Sequence, residues 1–134
     1  MKTALLLIAH GSREANANDD LHAVAESLRA TDRYPIVEPA FLELAEPTIE
    51  MAAQRCVEQG AQRVILLPFF LSAGVHVRRD LGAHQSHLAQ AFPGQRFALA
   101  EPLGPDPRLS QVLSQRALEA EASLDQVTSL ANAP

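Results

Sequence analysis

The chain has 134 residues, 47% of them hydrophobic, and a formal net charge of −5. That length fits one ordinary domain, and the apolar fraction supports a real core and excludes global disorder. The acidic balance excludes a nucleic-acid binder, which needs a concentrated basic face, yet local arginines can still meet a small anionic substrate.

The run Ala4 to Ala9 is too short to cross a membrane, and His10-Gly11-Ser12-Arg13 interrupts it without a cleavage-site pattern. No signal peptide is expected, and a cytoplasmic location follows. Thr3 to Ala9 reads as a strand buried on both faces of a parallel sheet. Residues Glu14 to Ala30 show helical spacing, with Leu21, Val24, Ala25 and Leu28 on one face. Ile36 to Leu42 is a second strand, and its Pro39 suits a sheet edge. Glu46-Pro47 opens a helix with proline near its first turn, and Gly60 ends it. The lone cysteine, Cys56, belongs to the apolar face of that helix and reads as a small hydrophobe. One thiol makes no internal disulfide.

Arg63 to Pro68 is a third strand, followed by the loop Phe69 to Val75. His76 to Phe92 is a third helix, Arg96 to Ala100 a fourth strand, and Leu109 to Leu124 a last helix with Val112, Leu113, Ala117 and Leu118 inside. The alternation of strand and helix implies right-handed crossovers and a parallel sheet covered on both faces. The expectation is a three-layer α/β/α sandwich with a four-stranded parallel sheet, one domain over 1–124, and a fraying tail at 125–134.

In such a sheet, ligands bind beyond the carboxyl ends of the strands. His10 follows the first strand, Glu43 the second, His76 the loop after the third, and Glu101 the fourth. His10, Glu43 and His76 are a suitable set for a borderline divalent cation, with positions left open for exchange. Any one of them alone is equally a helix cap or a loop residue. Gly11 suits a tight strand-to-helix turn and Gly74 a positive-φ loop position. A phosphate site at His-Gly-Ser-Arg competes, but Gly-x-Gly-x-x-Gly, Gly-Lys-Ser/Thr and Gly-x-Ser-x-Gly are all missing from the sequence. His22 reads as a surface residue, His84 as half-buried packing and His87 as solvated, so none is assigned to the site.

The stretch Leu6-Leu7-Ile8-Ala9-His10-Gly11-Ser12-Arg13 resembles the opening motif of the CbiX-type sirohydrochlorin chelatases. Ala40-Phe41-Leu42-Glu43-Leu44-Ala45-Glu46-Pro47 resembles their second motif, and the stretch from Leu66 to Val77 their third. The resemblance runs from Lys2 to about Pro107. It departs at Leu81-Gly82, where relatives usually carry a branched residue and proline.

The resemblance implies a chelatase-like half-domain that pairs as a homodimer. It implies ATP-independent insertion of cobalt or iron, in some members nickel, into sirohydrochlorin, on the way to cobalamin or siroheme. No cofactor is implied beyond the divalent metal substrate. His10, Glu43 and His76 would handle the metal, and a neutral imidazole would also take a pyrrole proton. Because imidazolium does not ligate, acid should release the metal. Arg13, Arg78 and Arg79 would pair with the carboxylates of the tetrapyrrole, and Phe69, Phe70 and Leu71 would flank its apolar face. Solvation of Arg78 and Arg79, and core packing of one phenylalanine, are the competing readings. Two other functions stay open: a non-catalytic metal or tetrapyrrole carrier on the same fold, and a histidine-dependent phosphatase. Ala9 stands where such phosphatases favour arginine before the histidine, which counts against the second.

Overall fold

A computed structural model describes the backbone of residues 1–131 and the side chains of residues 1–126. Strands β1 (Thr3–Ala9), β2 (Ile36–Phe41), β3 (Arg63–Pro68) and β4 (Arg96–Leu99) alternate with helices α1 (Ala15–Arg29), α2 (Ile49–Glu58), α3 (Val75–Ala91) and α4 (Pro107–Ala131). The strands form one parallel sheet in the order β2-β1-β3-β4. The α/β class expected from the sequence is what is found.

Strand β1 explains the layering. Its side chains alternate across the sheet, so Leu5 and Leu7 face one side while Ala4, Leu6 and Ile8 face the other. Leu5 and Leu7 join Val37, Phe41 and the α1 residues Leu21 and Ala25 in one core cluster. Leu6 and Ile8 join Leu66, the α2 residues Ile49, Ala52, Ala53 and Cys56, and the α3 residues Leu81 and Leu88 in the other. One helix therefore covers one face and two helices the opposite face. Burial on both sides is why β1 has no polar position between Ala4 and Ile8. Strand β2 is an edge strand, which accommodates Pro39.

Some local expectations are corrected. Pro47 lies outside α2. Thr48 caps that helix, its Oγ1 accepting from the Met51 N–H at 3.2 Å, while the Pro47 carbonyl accepts from the Phe41 N–H at 2.9 Å. A residue that closes the strand end is thus not free to open the helix. Gly74 has φ −73°, not a positive value, because it serves as the extended N-cap of α3. Gly60 does end α2 with φ +93°. The chain also divides into two compact units, Met1–Leu103 and Gly104–Pro134. Helix α4 lies in the second and continues past Leu124 to Ala131, so the 125–134 segment is helical as far as it is described. Its Val112, Leu113, Ala117 and Leu118 are exposed rather than inside, because within its unit the helix has no second element to pack against. Asp106 precedes α4 and its carboxylate accepts from the Arg108 backbone and guanidinium, which hold it well below the usual carboxylate range.

Candidate functional site

The carboxyl ends of β1 and β2 are stitched together past the last ladder residues. The Leu42 N–H donates to the Ala9 carbonyl and the Glu43 N–H to the His10 carbonyl, each at 3.0 Å. Backbone hydrogen bonding thus holds the His10 and Glu43 backbones side by side, although 33 positions separate them in sequence. Gly11 makes this approach possible. It has φ +98°, and a Cβ built there would lie 1.9 Å from the Glu43 carbonyl oxygen. Only glycine satisfies both conditions. Leu44, next to Glu43, also sits in the left-handed region at φ +66°, a sparsely populated conformation for leucine.

His10 is exposed above a buried floor. Phe70, only 7% exposed, lies beneath it with ring centroids 4.6 Å apart. Phe70 is placed by the strand end, where the Phe69 N–H donates to the Ile8 carbonyl at 2.7 Å. On the next turn the Ser12 backbone and the Asn18 side chain exchange two hydrogen bonds, at 3.0 and 2.8 Å. These fix the path from His10 into α1.

A cleft of about 510 Å³ opens at this edge, lined by His10, Leu42, Glu43, Glu50, Val77, Asp80, Ala83, His84 and His87. Its lining holds imidazoles and carboxylates but no lysine or arginine. Such a wall attracts cations. Across it, His84 Nδ1 stands 3.3 Å from Glu50 Oε1, joining α3 to the first turn of α2.

The structure thus brings two of the three sequence-expected metal residues, His10 and Glu43, into one cleft. His76 is exposed on the first turn of α3 and does not line that cleft. Among the described residues, no three His, Cys, Asp or Glu side chains are grouped closely enough to enclose one ion. Of the residues expected to meet the tetrapyrrole, Arg13 and Arg79 are exposed. Arg78 bonds Glu101 Oε2 at 3.2 Å and the Ala73 carbonyl at 3.1 Å. Phe69 is half-buried against the α1-side core, and Leu71 is exposed. Sequence reasoning missed Glu50, Asp80, His84 and His87 as cleft residues. The signal was present for three of them, because positions 80, 84 and 87 share one face of a helix.

A doubly covered parallel sheet with imidazole and carboxylate gathered beyond its carboxyl edge defines a chelatase-like α/β protein. Residues 4–120 match the model of the CbiX family, and the chain belongs to that family. It is 39% identical over 112 residues to the chloroplastic sirohydrochlorin ferrochelatase of Arabidopsis thaliana, covering 84% of this chain and 50% of that protein. It is 34% identical over 116 residues to the sirohydrochlorin cobaltochelatase of Sulfolobus acidocaldarius, covering 87% of this chain and 90% of that one. The cobalt complex of the sirohydrochlorin chelatase SirB from Bacillus subtilis subspecies spizizenii superposes with a TM-score of 0.82 at 33% identity, covering 89% of this chain and 51% of that structure. The chain therefore spans about half the length of several curated relatives it matches, and nearly all of the Sulfolobus protein. Among the described residues, no helix is long and apolar enough to cross a membrane.

Proposed function

We propose that this chain inserts a divalent metal, cobalt or iron, into sirohydrochlorin, without ATP and with no cofactor beyond the metal itself. The observation that carries this reading is the pairing of His10 with Glu43 in a cleft free of lysine and arginine, on a sheet like that of a cobalt-bound chelatase. The lining suits a divalent ion whose charge is partly neutralised and whose coordination sphere stays open.

Insertion releases two protons from the pyrrole nitrogens while the metal moves from protein and water ligands to four ring nitrogens. A neutral imidazole at His10 would supply a ligand before transfer and accept one of the two pyrrole protons after it, the other passing to solvent water. Glu43 balances the charge of the ion. His76, exposed on the first turn of α3, joins the metal set in this reading, and Arg13, Arg78 and Arg79 meet the tetrapyrrole carboxylates. The site works in a homodimer. Leu44, Leu71 and Val75 are 53%, 71% and 69% exposed around the same sheet edge, and a second copy would cover them. A cytoplasmic place of action belongs to this proposal.

The test is an anaerobic absorbance assay with sirohydrochlorin and Co²⁺, Fe²⁺ or Ni²⁺, comparing wild type with His10→Ala and His76→Ala. Multiple turnovers above the spontaneous rate, lost in both variants, are expected, and the relative rates rank the metals. A wild-type rate equal to the blank overturns the reading. Gel filtration with light scattering should give twice the chain mass, and an active monomer would remove the dimer from it.

A further inference from the structure

The cleft lining holds further imidazole and carboxylate groups beside His10 and Glu43. Asp80, His84 and His87 stand at i, i+4 and i+7 on α3, and all three line the cleft. Leu81 and Leu88 anchor that helix in the core, and the stripe lies on the flank beside them, half-buried at His84 and exposed at Asp80 and His87. Side chains four apart on a helix lie about 5–6 Å apart at Cβ, a spacing that lets one ion bridge a carboxylate and an imidazole.

Glu50 prepares one of these ligands. It stands 3.3 Å from His84 Nδ1, and in the neutral ring whose Nδ1–H donates to this carboxylate, Nε2 is the atom with a free lone pair. A carboxylate behind an imidazole in this way orients the ring and raises its basicity toward a metal. Three carboxylates, Glu43, Glu50 and Asp80, face the cleft with no cationic side chain among the lining residues. No three ligands close around one point among the described residues. Asp80 and His84 supply two protein ligands one helical turn apart, and a station completed by water would bind weakly and release readily.

We propose that Asp80 and His84, braced by Glu50, form a second divalent-metal station in this cleft, holding the hydrated ion before it passes to His10 and Glu43. Binding at the station is independent of the chelatase reading, whereas passage onward rests on it.

The experiment is a Co²⁺ titration followed by visible absorbance and calorimetry at fixed neutral pH. The protein with His10→Ala and His76→Ala is expected to keep one weak equivalent of Co²⁺. Adding Asp80→Asn and His84→Ala should abolish that equivalent, while Glu50→Gln alone should weaken it by about tenfold. Far-UV circular dichroism and the thermal midpoint check folding, and Glu50→Gln serves as the mild variant if the others unfold. No Co²⁺ bound by the His10→Ala, His76→Ala protein overturns the station, as does residual binding that survives loss of Asp80 and His84. In turnover, Asp80→Asn with His84→Ala should raise the KM for metal about tenfold and leave kcat at saturating metal within about twofold. Cobalt binding as expected in a protein without turnover would keep the station and reject the chelatase reading.

Discussion

The two ends of the sheet carry opposite chemistry. At the carboxyl edge the cleft gathers His10, Glu43, Glu50, Asp80, His84 and His87 and excludes basic side chains. At the amino edge a larger hollow, about 740 Å³, is lined by Lys2, Arg33, Arg63 and Arg96 together with Tyr34 and Phe97, and holds no carboxylate or imidazole. The larger cavity is the one without metal-ligating groups. Size alone therefore misleads here, and donor chemistry decides which end handles a cation. The difference follows from parallel topology, which sends every strand end, with its strand-to-helix loop, to one edge.

The largest effect that would sharpen this contrast is loss of insertion on changing the acidic edge. Glu43→Ala should lower the rate at least about a hundredfold, whereas Arg63→Ala with Arg96→Ala at the basic edge should leave it within about twofold. Equal losses at both ends, read in the sirohydrochlorin absorbance assay, would break the contrast. Next comes Gly11→Ala. The added methyl meets the Glu43 carbonyl in a positive-φ turn, so urea unfolding should show a loss of about 2 kcal/mol or more, with insertion falling alongside.

Cys56 tests the core that both ends share. Burial, with nearby Glu38 adding to it, pushes its thiol up to about 12 from an ordinary value of 9.0. The folded state then keeps a proton that the unfolded state loses first. Stability should fall as pH rises from about 9 to about 12, and Cys56→Ala should flatten that slope in urea melts across the range. An identical slope in both proteins would show that the thiol is not buried as described. The smallest effect belongs to Arg78→Ala. Its bond to Glu101 is exposed on both sides, so thermal unfolding should register a change below about 1 kcal/mol, while the KM for sirohydrochlorin should rise a few-fold if Arg78 meets substrate carboxylates. An unchanged KM would return Arg78 to the solvated role.

Much of this was legible in the chain. The order of strands and helices was read with ends shifted by a few residues, since each element is marked by its own apolar run and its flanking glycine or proline. His10 and Glu43 were readable because each directly follows a strand, and in a parallel sheet that alone brings them to the same edge. His84 was read correctly as half-buried, but its partner Glu50 lies 34 positions away on another helix. Nothing local announces such a pair.

By itself, then, the sequence determined the alternating architecture, the buried β1, the glycine turn after His10 and the edge at which the chemistry gathers. Periodicity and turn preference act between near neighbours, so they are written in short stretches. The tertiary structure alone decided which way α3 is rotated, that Glu50 meets His84, and that arginines are absent from the cleft lining. Those outcomes depend on how Leu81 and Leu88 seat in a core assembled from β1, β3 and α2, and packing between distant segments sets that rotation.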